Sequence, residues 1–104
     1  MHTIILKNDG SVWTTGGGNG TDGYYNYGQL GLGDKNVRTA FTQVTANINN
    51  DVNQVACSEH HTFIMKNDGS LWACGSNGSG QLGLNDTTNR NTFTQTCKQF
   101  FINL

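Results

Sequence analysis

His2-Thr-Ile-Ile-Leu-Lys-Asn-Asp-Gly-Ser-Val-Trp-Thr-Thr-Gly16 returns 59 residues later as His61-Thr-Phe-Ile-Met-Lys-Asn-Asp-Gly-Ser-Leu-Trp-Ala-Cys-Gly75, with ten identities in fifteen positions. Downstream, Gly28-Gln-Leu-Gly-Leu-Gly-Asp34 returns as Gly80-Gln-Leu-Gly-Leu-Asn-Asp86, and Arg38 and Phe41-Thr-Gln43 return as Arg90 and Phe93-Thr-Gln95. The second block is offset by 52, so the first copy carries seven extra residues between Gly16 and Gly28. A period in the fifties, built from short β-rich runs and glycine turns, indicates a propeller or an array rather than a helical solenoid.

Each copy opens as a hairpin: a β-rich run, Asn-Asp-Gly, and a second run ending in Trp and Gly. Asp-Gly suits a two-residue type I′ turn, which predicts Leu6 opposite Trp13 and Met65 opposite Trp72. Trp13 and Trp72, as repeated strand positions, are expected in the core. No window combines apolar residues at helical spacing with caps, and glycine interrupts every candidate helix, so the chain reads as all-β.

These residues resemble the regulator of chromosome condensation (RCC1) repeat: a His-Thr hairpin with Asp-Gly at its turn, an aromatic-x-x-Gly strand, then Gly-Gln-Leu-Gly-x-Gly-Asp. The resemblance runs from His2 to about Gln95 and implies β-propeller blades, about two of a larger propeller of about seven. The positions that carry it are His2, Gly10, Trp13, Gly16, Gly28 and Gly31 in the first copy, and His61, Gly69, Trp72, Gly75, Gly80 and Gly83 in the second. Repeat 1 is expected over residues 1–52, without its leading strand and with an insertion at 17–27. Repeat 2 is expected over 53–104, ending in a strand-like tail, the whole being a fragment of a longer repeat protein. WD40 blades are of similar size, but Thr and Ala follow the two tryptophans and the Gly-His pair is missing; kelch is the weaker alternative. The family's proline after the Arg is replaced by Ala40-Phe41 and Thr92-Phe93, which makes the connecting segment less rigid.

Composition bounds the function. Six Lys and Arg against seven Asp and Glu give a net charge of -1, which denies the chain the basic face that a phosphate backbone requires. Apolar runs such as Ile4 to Leu6 and Phe100 to Ile102 fall far short of the roughly 20 residues of a membrane span. No nucleic-acid or membrane partner is expected. Cys57, Cys74 and Cys97 are odd in number and lack CxxC spacing, so they read as free apolar residues; with no signal peptide evident, the cytoplasm is favoured. Asn19, Asn77 and Asn85 head glycosylation-type triplets at about the frequency chance would give.

Gly18-Asn-Gly-Thr-Asp-Gly23 is a literal GxGxxG, but Tyr24-Tyr-Asn-Tyr27 follows it instead of a helix, so a loop insertion is expected and no cofactor. Cys57, His60 and His61 suggest a metal cluster only weakly, because strand alternation splits them between two faces. His2 and His61 are expected to hydrogen-bond inside their own blades. Asp9 and Asp68 serve the turns, and Asp34 and Asp86 close the Gly-Gln-Leu-Gly loops, leaving no acid pair for catalysis. Tyr24, Tyr25, Asn26 and Tyr27 form the candidate partner-binding loop; packing of these tyrosines on a neighbouring blade is the competing reading. The chain is thus expected to be a non-enzymatic scaffold for a protein partner. The resemblance also implies two alternatives, a guanine-nucleotide exchange factor for a small GTPase and an inhibitor-type binding propeller. Residues from about Lys98 to Leu104 are expected to add a strand beside the hairpin at His2, either within one chain or head to tail between chains, the second form being self-association through blade edges. Cys97 to Phe101 is aligned for that purpose with Asn53 to Cys57.

Overall fold

The structure, a computed structural model, describes residues 1–17 and 26–97, with Cys97 described for its backbone alone. It contains two antiparallel sheets. The first orders β1 (His2–Leu6), β2 (Val12–Gly16) and β3 (Arg38–Val44); the second orders β4 (Val52–Cys57), β5 (His61–Lys66), β6 (Leu71–Gly75) and β7 (Arg90–Cys97). Each sheet is a meander of sequence neighbours, and β4 lies against β1 where the sheets meet. Among the described residues no helix is long and apolar enough to cross a membrane.

The hairpin turns differ from the expected type I′. Lys7 N donates to Ser11 O and Gly10 N to Lys7 O, both at 2.9 Å, and the pattern repeats at Lys66, Ser70 and Gly69. Only the glycine has positive φ, +83° at Gly10 and +85° at Gly69. This is a three-residue loop, a type I turn closed by a glycine bulge. Asp-Gly therefore supplies one left-handed residue, not two.

One added loop residue shifts the pairing. Trp13 lies opposite Ile5 and Leu6 opposite Val12, while Trp72 lies opposite Ile64 and Met65 opposite Leu71. A one-residue change of register exchanges the faces of a strand. In the first sheet, Ile4, Leu6 and Val12 consequently face the second sheet, and Trp13 faces away with Ile5.

The core is the seam between the sheets. Val12, Val44, Ile48 and Val52 meet Ile64, Cys74 and Phe93, with Ile4, Leu6, Leu32, Val55 and Trp72 packed against them. The tryptophans are half-buried rather than fully buried as expected. Their indole N–H groups donate to Ser11 Oγ (3.0 Å) and Ser70 Oγ (2.8 Å), and Lys7 and Lys66 lie over the rings at 4.0 and 4.2 Å. An amphipathic ring capped by a cation suits a partly open position, at the seam edge for Trp72 and on the outer face for Trp13, better than a closed core.

At the far end, β7 extends through Cys97, which pairs with Leu71. Cys97 thus closes the outer strand of its own sheet and does not open a leading strand comparable with Asn53. The expected added strand from Lys98 to Leu104 lies outside the described residues.

Candidate protein-binding site at the blade junction

The Gly-Gln-Leu-Gly loop of the first repeat is the wedge of the seam. Leu30 and Leu82 are both buried, and the peptides around Gln29 reach the second sheet. Thr62 Oγ1 donates to Gln29 O at 2.7 Å, and the Cys74 thiol donates to the same carbonyl at 3.4 Å. Gly33 N donates to Asn91 O and Asn91 Nδ2 to Gly33 O, tying the loop to the start of β7. Phe93 is fully buried, its ring so close to Gly31 that an added Cβ would meet it at 2.6 Å. Burial pushes the Cys74 thiol far above its ordinary pKa, so it is an inert packing group.

A second tie joins the sheets through Lys66. Its ammonium, nearly buried, donates to Asn47 O and pairs with Asp51 at 3.3 Å. Asn47 Nδ2 in turn donates to Phe93 O at 2.9 Å. The segment between β3 and β4 is therefore held by the second sheet from both ends.

His2 departs from the expected bond within its own blade. Its Nε2 lies 2.7 Å from Thr62 Oγ1, across the seam. Because that hydroxyl gives its proton to Gln29 O, the ring must donate from Nε2. Nδ1 is buried with no partner, and burial lowers the pKa from 6.5 to about 4, helped by the N-terminal ammonium and only partly offset by the Glu59 carbonyl. His61 differs: it bonds Ser58 Oγ at 3.0 Å within its own sheet, and its pKa is lowered by partial burial.

The shift at His2 carries a signed expectation. The unfolded ring takes up a proton near pH 6.5 and the folded one only near 4, so its contribution is complete above pH 6.5 and lost as pH falls towards 4. The ring is partly open to solvent, which reduces the effect to about 1–2 kcal/mol. Urea denaturation at about pH 7 and about pH 4.5 should show this loss in the parent chain and not in His2→Gln; His61 contributes to both and cancels. An equal loss in the two chains would remove His2 as the cause. Asp9, Asp34, Asp68 and Asp86 are held below the usual carboxylate range, chiefly by hydrogen bonds from Ser11, Arg38, Ser70 and Arg90, and so lose their contribution at lower pH than the histidine.

Of the candidate partner-binding loop, Tyr24 and Tyr25 lie outside the described residues, as does the GxGxxG stretch. Asn26 Nδ2 donates to Asn36 O at 3.0 Å and its Oδ1 accepts from Gly28 N at 2.9 Å, which bases the insertion on the wedge loop. Tyr27 meets His60 edge to face at 5.1 Å, joining the base of the insertion to the β4–β5 turn. Beside it opens a polar groove of about 310 Å³ lined by Tyr27, Lys35, Thr88, Asn89 and Asn91. Of the other repeated positions, Gly10 and Gly69 sit in the hairpin turns, and Gly16 and Gly75 end β2 and β6 at register shifts. Gly28 and Gly31 lie buried in the seam, while Gly80 is half-buried and Gly83 exposed at the open end. Cys57, His60 and His61 do not converge: no group of three potential metal ligands occurs among the described residues.

Three residues escaped the sequence reading. Ser11 and Ser70 link turn to tryptophan, accepting the indole N–H while donating to Asp9 and Asp68 at 2.6 Å. Their identity in both copies was the available signal. Asn77, met only as the head of a glycosylation-type triplet, is fully buried; its amide holds Asp86 and Thr88 and its carbonyl accepts from Leu82 N. No repeat signal marked it.

Comparison with known proteins gives the same picture. Residues 52–81 and 68–95 match profiles of the regulator of chromosome condensation (RCC1) repeat. The human X-linked retinitis pigmentosa GTPase regulator is 45% identical over 71 residues, covering 68% of this chain and 7% of its own length. The mouse protein of that name is 36% identical over 94 residues, 90% of this chain and 9% of its own. Human WBSCR16 superposes with a TM-score of 0.73 at 28% identity, over 90% of this chain and 22% of its own. Yeast Prp20p, described together with its binding to Gsp1p and histones, superposes at 0.72 over 91% of this chain and 23% of its own; at 18% identity that likeness concerns the fold alone. The chain thus spans less than a quarter of each of these proteins, and it belongs to the RCC1 repeat family, as two adjoining blades of its β-propeller.

Proposed function

We propose that the chain acts as a non-enzymatic protein-binding module, with the loop end of the blade junction as its contact surface and Tyr24, Tyr25, Asn26 and Tyr27 as the contact residues. The observation that carries this reading is the placement of Tyr27 and Asn26. The seam anchors the base of the insertion beside a polar groove, and loops on a rigid scaffold are where binding residues concentrate. The four repeated aspartates also have structural partners: Asp9 and Asp68 hold serines, while Asp34 and Asp86 pair with Arg38 and Arg90 at 2.9 and 2.7 Å. Nucleotide exchange on a small GTPase is the second reading, supported by relatives named as GTPase regulators.

Two measurements separate them. Partner capture should be lost in a Tyr24→Ser, Tyr25→Ser, Tyr27→Ser chain that retains its circular dichroism. Release of a fluorescent guanine nucleotide from candidate small GTPases should not be accelerated by the parent chain. Capture indifferent to the tyrosines would overturn the contact surface, and accelerated release would favour the exchange reading.

A further inference from the structure

We propose that the two outer faces of the chain are complementary halves of one more seam, so that a second copy docks head to tail by repeating the contact between the two sheets. The internal seam supplies the template. Its receiving face, on the second sheet, comprises Thr62, Ile64, Cys74 and Phe93, all four fully buried. The same repeat positions on the first sheet are Thr3, Ile5, Thr15 and Phe41. There Thr3 is exposed, Ile5 and Thr15 are half-buried, and Phe41 is 44% exposed.

The inserting face shows the inverse pattern. On the first sheet Ile4, Leu6 and Val12 face the seam, and the Gln29 to Gly31 peptides are buried in it. Their counterparts on the second sheet, Phe63, Met65 and Leu71, line an open apolar groove, and Gln81 and Gly83 are exposed beside it. The loop that would insert is already shaped. Ser79 N donates to Gln81 Oε1 at 2.9 Å as Tyr27 N does to Gln29 Oε1 at 2.6 Å, and Gly80 and Gly83 are left-handed as Gly28 and Gly31 are.

The chemistry of the pairing follows position by position. The Gln81 carbonyl would accept from the Thr3 hydroxyl of the second copy, as Gln29 O accepts from Thr62; Thr15 stands where Cys74 does, but its hydroxyl already donates to Arg38 O at 3.0 Å, so the thiol's bond has no equivalent. Phe41 would lie over Gly83 as Phe93 lies over Gly31, provided that the Thr96 side chain, whose hydroxyl donates to Gly83 O and stands 2.9 Å from the Gly83 Cβ position, turns aside. Ile5 would enter the groove of Phe63, Met65 and Leu71 as Ile64 enters that of the first sheet. Two differences weaken the copy: Thr39 stands where Asn91 ties the loop, so the bond donated by the Asn91 side chain is lost while a backbone carbonyl remains, and among the described residues the first sheet has no counterpart of β4, whose Val52 and Val55 belong to the internal seam. Docking should therefore be looser than the internal seam. Because the two faces differ, the contact is heterologous and propagates to a ring or an open chain.

Sedimentation of the 104-residue chain from low micromolar to near-millimolar concentration tests this. Average mass should rise with concentration. Phe41→Glu blocks the receiving face and Phe63→Glu the inserting face, so each alone should stay monomeric while keeping its circular dichroism. Mixed, they should form a 1:1 dimer through the one intact face of each. Thr3→Arg is a second, fully surface change on the receiving face, for use if Phe63→Glu is needed with a different partner or Phe41→Glu fails to fold. A parent chain that remains monomeric throughout overturns the proposal. So does association that survives Phe41→Glu or Thr3→Arg, or a mixture of two folded blocked variants that stays monomeric.

Discussion

Phe93→Ala should cost about 3–5 kcal/mol of folding stability, the usual range for emptying a fully buried phenylalanine site, whereas Phe41→Ala should cost under about 1 kcal/mol. The two residues hold the same position in the two repeats, flanked by the same Thr-Gln, and both lie on the outer strand of their sheet. What differs is the cover. Phe93 has the Gly31 peptide and the Cys74 sulfur against it and no exposed surface, while Phe41 is 44% exposed. Little can collapse into the space that Phe93 leaves, because its neighbours are backbone and a small side chain, so the cavity term persists. Urea denaturation at low micromolar concentration, where association cannot contribute, should give the two costs separately. Equal losses would mean that burial at the seam does not set the energy of this position.

That contrast also explains what could be read from the sequence. The repeat identified the strands and their meander because the hairpin and loop residues answer to local chemistry that both copies share: Asp9 and Asp68 accept from Ser11 and Ser70 in the same geometry. It could not distinguish Phe41 from Phe93, or Gln29 from Gln81, since identical residues become core or surface according to which neighbour lies against them. The hairpin register differs from the expected one for a related reason. Asn-Asp-Gly is compatible with two-residue and three-residue loops, and the choice depends on whether Asp9 takes positive φ, which it does not. With that single residue of loop length, Trp13 faces away from the seam and Trp72 packs at the seam's edge, both half-buried rather than in the expected core. His2 was assigned to its own blade because the repeat pairs it with His61. Across the seam, however, Thr62 offers it a hydroxyl acceptor, while His61 finds Ser58 nearby. Of the candidate contact loop, the sequence marked the tyrosines by composition, and the anchoring of Asn26 and Tyr27 emerged only from the fold.

The largest test of the seam by a single methyl group is Gly28→Ala against Gly80→Ala. Both glycines open the same Gly-Gln-Leu-Gly loop with positive φ, +92° and +72°, so alanine meets a similar left-handed penalty of about 1 kcal/mol at each. Their surroundings differ. A Cβ on Gly28 would lie 2.5 Å from Asn91 Cα and 2.6 Å from Arg90 O, backbone atoms that cannot rotate aside, whereas one on Gly80 finds nothing nearer than Asp86 O at 3.9 Å. Relief at Gly28 requires the wedge loop to withdraw from β7, which would strain the paired hydrogen bonds between Gly33 and Asn91 and the Thr62 contact to Gln29. Gly28→Ala should therefore lose about 3 kcal/mol or more, the cost of overpacking added to the conformational penalty, and Gly80→Ala only about 1 kcal/mol. Denaturation of dilute samples gives both values, and amide exchange at Gly33 should rise in Gly28→Ala alone. A Gly80→Ala loss as large as that of Gly28→Ala would show that the left-handed backbone, rather than the approach of the second blade, fixes glycine at the head of this loop.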